Sequence, residues 1–306
     1  MPPVSAPTER PARLDVGVVG AGRVGAVLGA ALRTAGHRVV ATSAVTEESR
    51  ERAAALLPGV PVLAVPEVVE RAELVLLTVP DDALVDLLRG LTATQAWQAG
   101  QILVHTSGRF GADVFDACVG AHVLGLALHP VMAFTGTSMD LERLTDCHFG
   151  VTAPEQLRPV AEALVVEMGG EPEWIAEADR PRYHAALAHG SNHLVTLVAQ
   201  AMQVLAHAGV RDPRRMLEPL LEASLDNALR LGDAGLTGPV ARGDAGTVAA
   251  HLQRLRAETP DVRPSYLALA RATAERALAS GRLSPAAAAE LLETLADLDP
   301  GTDPPE

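Results

Sequence analysis

The chain contains no lysine, so every permanently charged basic side chain is an arginine. This absence excludes chemistry that requires a lysine, such as a Schiff base on the protein, a lysine general acid or a lysine that contacts a phosphate. Any mechanism assigned to the sequence must therefore use other residues.

Cysteine and long apolar runs are also lacking. Cys118 and Cys147 are the two cysteines, which suits a reducing compartment and excludes a disulfide framework. No apolar run reaches the roughly 20 residues of a membrane span, and no charged-then-apolar signal segment opens the sequence. We therefore expect a cytoplasmic protein with no membrane partner.

Positive charge is outweighed by negative charge. The formal net charge is −13, and no basic stripe is available to neutralise phosphates. Nucleic acid is therefore excluded as a partner, and a small molecule is the expected ligand. No cluster of His, Cys or Glu has the spacing of a complete metal site, so we expect no metal.

The apolar pattern divides the 306 residues into two domains. Residues 1–12 and 299–306 are rich in Pro and polar groups and are predicted to be disordered. Short apolar runs alternate with helical patterns in residues 13–178, which predicts an α/β domain with a doubly wound, mostly parallel Rossmann sheet. Residues 179–298 are predicted to form an all-helical domain for substrate binding and dimerisation. Strands are expected at 14–19, 38–42, 60–64, 74–79, 102–105, 123–128, 148–152 and 172–175.

The run Gly-Ala-Gly-Arg-Val-Gly at Gly20–Gly25 follows the first predicted strand and opens the first predicted helix. Gly20 allows a tight turn, Gly22 lets backbone N–H groups approach a pyrophosphate, and Gly25 lets the helix pack on the strand. The helix N-terminus then faces the anion. Gly20, Gly22, Arg23, Val24 and Gly25 are thus predicted to bind a dinucleotide, the alternative being a turn of the same shape without a ligand.

The end of the second predicted strand indicates which dinucleotide binds. Enzymes that use NAD place an acid there to accept from the ribose 2′-hydroxyl. Here the chain has Thr42 and Ser43, which can donate to a 2′-phosphate, and Arg23 can reach the same group. Arg50 or Arg52 can help. The sequence therefore favours NADP(H), although ordinary turn hydroxyls and surface arginines give the same pattern.

Three further segments follow predicted strands at the carboxyl edge of the sheet, where ligands of open α/β sheets bind. Val79, Pro80 and Asp81 follow one strand and are predicted to contact the cofactor, although Asp81 can instead cap the next helix. Ser107 follows another strand and offers donors beside a nicotinamide. His129 follows the next strand and is predicted to face substrate, or else to be a satisfied structural histidine.

The predicted helix from Tyr183 to Ala208 is apolar around most of its circumference, which is typical of a core helix and of a subunit interface. We therefore expect a homodimer through the helical domain. Within this helix, His184 and Asn192 are eight residues apart, and His189 and His193 are four apart, so each pair is predicted to share a face.

The polar residues of this helix form the predicted catalytic group. His184, His189 and Asn192 are assigned to catalysis, because a histidine can donate the proton that completes hydride transfer. Ser191 is predicted to contact substrate. Later in the chain, Thr237 and Arg242 can capture a substrate carboxylate, unless their segment is only a connection between helices.

These motifs together resemble a Rossmann-like family with a helical C-terminal domain of unknown function, in the 6-phosphogluconate dehydrogenase-like superfamily. The resemblance is carried by Gly20–Gly25, Val79-Pro80-Asp81-Asp82, His105-Thr106-Ser107-Gly108, His129-Pro130, Tyr183-His184, Ser191-Asn192, Thr237-Gly238-Pro239 and Arg242-Gly243-Asp244. It implies NADP(H), dimerisation and a substrate cleft, with ketopantoate reductase and pyrroline-5-carboxylate reductase among the relatives. Family members are often encoded beside pantothenate-synthesis genes, which favours ketopantoate as substrate.

One departure affects the choice of substrate. Ketopantoate reductases and β-hydroxyacid dehydrogenases have a lysine four residues before an asparagine on this helix, and here that position is Ala188. A histidine or water must then supply the proton, whereas an iminium substrate arrives already protonated. The sequence predicts an NADP(H)-dependent reductase of a small 2-oxo or imino acid. The alternatives are a non-catalytic dinucleotide sensor and a hydride carrier between NADP and a deazaflavin.

Overall fold

The computed structural model describes residues 13–297, so the disorder predicted for 1–12 and 299–306 lies outside the described residues. The chain falls into two compact units that divide between Gly190 and Ser191. The sequence pattern placed the domain boundary earlier, near residue 179. The segment from Arg180 onward remains with the first unit because its side chains hydrogen-bond to the sheet.

The first unit is built on one seven-stranded sheet with the order β2-β1-β3-β4-β5-β6-β7. This confirms the predicted doubly wound Rossmann architecture. The strands are β1 (Asp15–Val19), β2 (Arg38–Ser43), β3 (Leu74–Leu77), β4 (Ile102–His105), β5 (Leu124–Pro130), β6 (His148–Thr152) and β7 (Glu171–Trp174).

All neighbouring strands pair in parallel except β5 and β6, which are antiparallel. His129 of β5 lies opposite Gly150 of β6 in this pair. The start of β6 therefore lies beside the end of β5, at the edge of the sheet where the parallel strands end.

Helices cover both faces of this sheet. They are α1 (Arg23–Thr34), α2 (Glu47–Leu56), α3 (Val65–Glu70), α4 (Asp81–Ala93), α5 (Met139–Arg143), α6 (Arg158–Glu167) and α7 (Arg180–Leu187). Successive side chains of a strand point to opposite faces. Val16 and Val18 of β1 accordingly belong to one apolar core and Val19 to the other.

The strand predicted at 60–64 is wrong. Within this segment Val62 forms only an isolated bridge with Thr42, supported by two backbone hydrogen bonds to that residue. Pro61 has no N–H to donate, and the short helix α3 starts at Val65, directly after Ala64, with Pro66 as its second residue. The segment is therefore too short and too poor in donors to extend the sheet.

The second unit is helical, as predicted. Its helices are α8 (His193–His207), α9 (Pro213–Leu231), α10 (Gly238–Arg242), α11 (Ala245–Glu258), α12 (Arg263–Ala279) and α13 (Pro285–Asp297). Their core comes from α10 to α13 and includes Val248, Leu252, Leu267 and Leu291.

The expected core helix from Tyr183 to Ala208 is wrong in two respects. It is interrupted by a π-helical turn at Ala188–Asn192, and α8 contains no buried residue. The apolar residues of α8 form a solvent-accessible face and not a core: Leu194, Val195 and Leu197 are all exposed. Periodicity alone does not distinguish such a face from a core.

We expect Leu28→Ala to lower the free energy of unfolding of the sheet unit by about 2–5 kcal/mol, because it leaves a cavity in a packed core. Leu28 of α1 is fully buried against β1 and β3 residues in the first core. Urea denaturation measures the change. Val45→Ala is the control, since Val45 is 87% exposed and its loss should change stability by no more than about 0.5 kcal/mol. Equal effects of the two substitutions would contradict the assignment of this core.

Candidate active site

The carboxyl ends of β1, β3, β4 and β5 bring together four polar segments of the chain. Gly20 follows β1, Thr78 follows β3, His105 ends β4, and His129 lies near the end of β5. Because these strands are parallel and adjacent, the segments lie along one edge of the sheet, where open α/β sheets bind their ligands.

The glycine turn has the conformation that its spacing predicts. Gly20 has a φ of +97°, which favours glycine, and Gly22 lies immediately before α1. A Cβ on Gly22 would meet no atom within 4 Å, so the backbone there is open to a ligand. A Cβ on Gly25 would overlap the Gly20 carbonyl and the Thr78 hydroxyl. The turn therefore fits a pyrophosphate at the helix N-terminus.

Thr78 stabilises this turn and was not selected from the sequence. Its hydroxyl lies 2.6 Å from the Gly20 carbonyl oxygen and 3.1 Å from that of Val19. Val79 packs partly into the second core, Pro80 precedes α4, and Asp81 is the first residue of that helix. The three predicted cofactor contacts thus lie beside Thr78 at the sheet edge, although Asp81 is not the N-cap of α4.

At the end of β2, the two predicted phosphate donors have different roles. Thr42 is fully buried and its hydroxyl donates to the Val18 carbonyl, so the prediction that it binds a 2′-phosphate is wrong. Ser43 Oγ accepts from the Gly20 amide at 3.0 Å, which holds β2 against the glycine turn. Its hydroxyl proton stays available to a neighbouring acceptor.

Two arginines lie close to the same turn. A Cβ on Gly136 would be 2.7 Å from Arg52 Nε and 3.0 Å from Arg23 Cγ, so both side chains pass over this glycine. Arg52 also donates to the Ala21 carbonyl at 3.4 Å. Arg50 instead forms an exposed ion pair with Glu47. Arg23 and Arg52 are therefore the cations that fit a 2′-phosphate, and Arg50 is not.

A buried carboxylate fixes the loop under these arginines. Asp140 is fully buried and accepts from the amides of Thr135 and Gly136. Burial raises the pKa of Asp140, but these donors outweigh burial, and the pKa lies below its usual value. Asp140 therefore remains ionised and holds Gly136 in place.

Ser107 and His105 form a closed hydrogen-bonded turn after β4. His105 Nε2 lies 2.9 Å from the Gly111 carbonyl, and its Nδ1 accepts from the Ser107 amide. Ser107 Oγ accepts from the amides of Arg109 and Phe110. Ser107 is predicted to contact the cofactor, but its amide and one side of its hydroxyl are already used by this turn. His105 is a satisfied structural histidine.

His129 lies at the centre of a second cluster. Its Nδ1 is 2.7 Å from the Tyr183 hydroxyl oxygen, and the ring planes are nearly perpendicular. The ring of His184 lies edge-on to His129, with centroids 6.3 Å apart. A Cβ on Gly108 would be 3.0 Å from His129 Nε2 and 2.9 Å from His184 Cδ2, so glycine is needed for the two rings to approach the turn.

Arg180 lies beneath this cluster and was not selected from the sequence. Its guanidinium is 1% exposed and donates to Thr152 Oγ1 and to the carbonyls of Ser107, Ala127 and Gly150. No carboxylate of the described chain hydrogen-bonds to it, and Glu177 acts on it only at longer range. A buried positive charge held by neutral acceptors raises the electrostatic potential around it.

This environment keeps the surrounding rings neutral. Burial, followed by the charge of Arg180 and by His184 and His105, lowers the pKa of His129 to about 4. Burial also lowers the pKa of His105 to about 4. Burial raises the pKa of Tyr183 to about 12, against the opposing effect of Arg180. At neutral pH His129 and His105 are therefore uncharged, and the Tyr183 phenol is protonated.

The π-helical turn contains two predicted catalytic residues, His189 and Asn192, and the predicted substrate contact Ser191. All three are exposed. A π turn pairs residues five apart rather than four. The regular spacing assumed for His189 with His193, and for His184 with Asn192, is therefore interrupted. Their catalytic roles remain predictions.

The last predicted segment belongs to the helical unit. Thr237 lies before α10, beside an apolar groove of about 630 Å³, and Arg242 is exposed near the end of α10. Gly243 has a φ of +73° and packs against Leu283, while Asp244 caps α11 through the Thr247 amide. The glycine and the aspartate thus serve the helix connection, and substrate binding by Thr237 and Arg242 stays a prediction.

No group of three or more metal-ligating side chains occurs within residues 13–297. In the same part of the chain, no helix is both long and apolar enough to cross a bilayer.

Comparison with known domains confirms both parts of the resemblance. Residues 1–130 match the model of a Rossmann-like domain, and residues 147–273 match that of a domain of unknown function (DUF2520). The chain therefore combines a Rossmann-like domain with a DUF2520 region. No curated protein matches its sequence.

Solved structures share the fold over most of their length. A Bacteroides fragilis protein to which NADP oxidoreductase activity is ascribed has 22% identity and a TM-score of 0.74, covering 86% of this chain and 98% of that one. Pyrroline carboxylate reductase of Plasmodium falciparum, with NADP bound, has 11% identity and a TM-score of 0.55, covering 91% and 98%. An imine reductase of Myxococcus stipitatus, in complex with NAD⁺, has 17% identity and a TM-score of 0.58, covering 92% and 100%. At these identities the likeness shows a shared fold.

We expect Gly25→Ala to raise the dissociation constant for NADPH at least tenfold and to lower the melting temperature. The added Cβ must displace Thr78 or the Gly20 carbonyl, which distorts the turn. Fluorescence titration and thermal unfolding measure the two effects. Gly90→Ala is the matched control, since a Cβ on this exposed glycine of α4 meets nothing within 4 Å. NADPH binding by Gly25→Ala equal to that of the control would contradict the assigned role of the turn.

Proposed function

We propose that the protein is an NADP(H)-dependent oxidoreductase that reduces a small 2-oxo or imino acid. The observation that carries this proposal is that a glycine turn and a neutral His–Tyr cluster lie along one carboxyl edge of one sheet. The structural neighbours include oxidoreductases that use NADP or NAD, which supports the same class of reaction.

The arginines support NADP(H) over NAD(H). Arg23 and Arg52 lie beside the glycine turn, and β2 ends in Thr42 and Ser43 without an acid. When bound, the cofactor supplies a hydride to the substrate carbon. The chain's own residues would hold the pyrophosphate at the start of α1 and the 2′-phosphate between the two guanidiniums.

An acidic substrate is supported by the charge of the cluster. Arg180 contributes a buried positive charge with no hydrogen-bonded carboxylate, which favours an anion beside His129 and His184. Ketopantoate and a cyclic imino acid such as pyrroline-5-carboxylate are the two candidates. The first follows from the family resemblance, and the second agrees with the absence of lysine and with two of the structural neighbours.

Turnover tests the proposal directly. NADPH absorbance would be followed with a panel of 2-oxo acids and cyclic imino acids, and oxidation with at least one of them is expected. A lack of turnover with every substrate, together with NADPH binding, would contradict the proposal and favour the dinucleotide sensor.

We expect Arg52→Ala to raise the dissociation constant for NADPH about tenfold or more and to leave that for NADH unchanged. One lost charge-assisted hydrogen bond to a phosphate is worth about 1.5–3 kcal/mol, and 1.4 kcal/mol corresponds to tenfold. Calorimetric titration gives both constants. Arg50→Ala is the matched control on the same helix, since Arg50 pairs with Glu47. Equal losses for NADPH and NADH would contradict recognition of the 2′-phosphate.

We also propose that two copies of the chain associate through α8 and α9. Neither helix contains a buried residue, and their exposed apolar side chains include Val195, Met216, Leu220 and Leu229. An apolar surface of this extent is typical of a protein interface.

We expect the double substitution Val195→Glu and Leu229→Glu to convert a dimer into a monomer in light scattering coupled to size exclusion. These side chains are 70% and 80% exposed, so the charges would be tolerated in the free chain but would oppose association. Val119→Glu, at an 83% exposed position of the sheet unit, is the control and should leave the dimer intact. A wild-type monomer, or a dimer that survives the double substitution, would contradict the proposal.

A further inference from the structure

The hydrogen bond between Tyr183 and His129 determines which ring nitrogen carries the proton. The phenol is protonated at neutral pH, since its pKa is raised to about 12 by burial. His129 Nδ1 lies 2.7 Å from the hydroxyl oxygen and is the acceptor when the phenol donates. A neutral imidazole that accepts at Nδ1 carries its hydrogen on Nε2. With the phenol as donor, His129 is the Nε2–H tautomer.

The protonated nitrogen faces the glycine that follows Ser107. The 3.0 Å distance from Nε2 to a Cβ built on Gly108 shows that this part of the ring packs closely on the turn. His184 packs on the same glycine, with its Cδ2 2.9 Å from that Cβ position. His129 is partly exposed near the carboxyl end of β5, which is the edge from which a bound substrate would approach its N–H.

The buried arginine favours one charge state of the pair over the other. The Arg180 Cζ lies 5.7 Å from the centre of the Tyr183 ring, and the guanidinium hydrogen-bonds only to neutral oxygens. Its positive charge opposes an imidazolium at His129 and stabilises a phenolate at Tyr183. Loss of one proton from the pair thus leaves the negative charge on the tyrosine, beside Arg180.

We propose that His129 and Tyr183 form a proton relay that completes reduction of the substrate, with His129 as the catalytic donor and Tyr183 as the residue that recharges it. This rests on the proposed function. As the substrate carbon receives a hydride and its electron pair from NADPH, the Nε2–H bond breaks and the proton moves to the substrate oxygen. The Tyr183 O–H bond breaks in turn, and its proton moves to Nδ1. The products are NADP⁺, the hydroxy acid, an imidazole protonated on Nδ1 and a phenolate. Water then protonates Nε2, leaving hydroxide, and the Nδ1 proton returns to the phenolate, which restores the starting form.

The relay predicts a dependence on substrate that a structural role for Tyr183 does not. A 2-oxo acid needs the proton from His129, whereas an iminium substrate carries its proton already and yields the amine on hydride transfer alone. Tyr183→Phe should therefore lower kcat for a 2-oxo acid at least tenfold, with KM and NADPH affinity unchanged. With a cyclic imino acid, kcat should stay within twofold of the wild type. General acid catalysis is worth about 10²–10⁴ in rate, so a tenfold threshold is conservative.

The relay also predicts the pH dependence with a 2-oxo acid. The charged and titratable groups around His129 are Arg180, His184 and His105, and those around Tyr183 are Arg180 and Cys147. The donor form persists until the phenol ionises, so the rate should be constant from about pH 7 to pH 10. A lone imidazolium donor of ordinary pKa, about 6.5, would lose about tenfold per pH unit over this range.

The experiment compares wild type, Tyr183→Phe and Tyr266→Phe with both substrate classes. Tyr266 is a matched control, because its hydroxyl lies 2.9 Å from His251 Nδ1 in a similar perpendicular pair within the helical unit. Its substitution should leave all rates unchanged. In parallel, ¹⁵N spectra of labelled histidines at pH 7 should show His129 as the neutral Nε2–H tautomer, with Tyr183→Phe altering that signal.

The outcomes separate the relay from the function on which it rests. No turnover by the wild type with any substrate would overturn the proposed function and the relay together. Turnover of a 2-oxo acid that Tyr183→Phe leaves unchanged would overturn the relay alone. An Nδ1–H tautomer or an imidazolium at pH 7 would do the same. A selective loss with 2-oxo acids, a flat pH profile and the Nε2–H signal would support it.

Discussion

The candidate active site depends on the reversal of chain direction between β5 and β6. Five parallel strands, β1 to β5, end at one edge of the sheet, and a parallel β6 would have ended there too. Because β6 is antiparallel, its first residues lie at that edge instead, with Gly150 opposite His129. A Cβ on Gly150 would overlap the Tyr183 hydroxyl, so the glycine admits the phenol to a position beside the end of β5. The reversal thus leaves room for Tyr183 of α7, which follows the sheet in the chain, to contact His129 of β5.

Burial and one buried charge determine the electrostatics in this region. Arg180 joins the turn after β4 to β5 and β6 through backbone carbonyls, and no carboxylate within residues 13–297 hydrogen-bonds to it. Burial is the main cause of the lowered pKa of His129 and of His105, and the charge of Arg180 lowers both further. Burial also keeps Tyr183 protonated, while Arg180 acts in the opposite direction and favours the phenolate. A chain without lysine therefore obtains a polarised, dry donor group from an arginine that does not itself face the turn at Gly108.

The sequence predicted the features that depend on local pattern. Apolar runs identified five of the seven strands to within one residue at either end. The prediction for β3 ran two residues too far, that for β5 stopped two residues too early, and the strand predicted at 60–64 does not form. The glycine spacing identified the turn before α1. There the positive φ of Gly20 and the close packing of Gly25 both favour glycine. Long-range contacts were not predictable in this way. In the sequence, Thr42 has the position and hydroxyl of a phosphate donor, but in the structure it is buried and donates to the Val18 carbonyl. Arg180 stands between Asp179 and Arg182 in a polar stretch of sequence that is typical of a surface, but its side chain is buried. Tyr183 belonged to a recognised motif, but only the β5–β6 pairing brings its hydroxyl to His129.

The way Arg180 is held also affects how its importance would appear among related sequences. Three of its four acceptors are backbone carbonyls, which Ser107, Ala127 and Gly150 offer whatever their side chains are. The side chains of Ser107 and Ala127 can therefore change without loss of these hydrogen bonds, whereas Thr152 accepts through its side chain and Gly150 must leave room for Tyr183. We expect correlated mutations to couple Arg180 only weakly to positions 107 and 127. A side chain that hydrogen-bonds to backbone carbonyls gives a weak signal in pairwise covariation, because the acceptor does not depend on the residue type. Its partners are therefore identified from the folded structure.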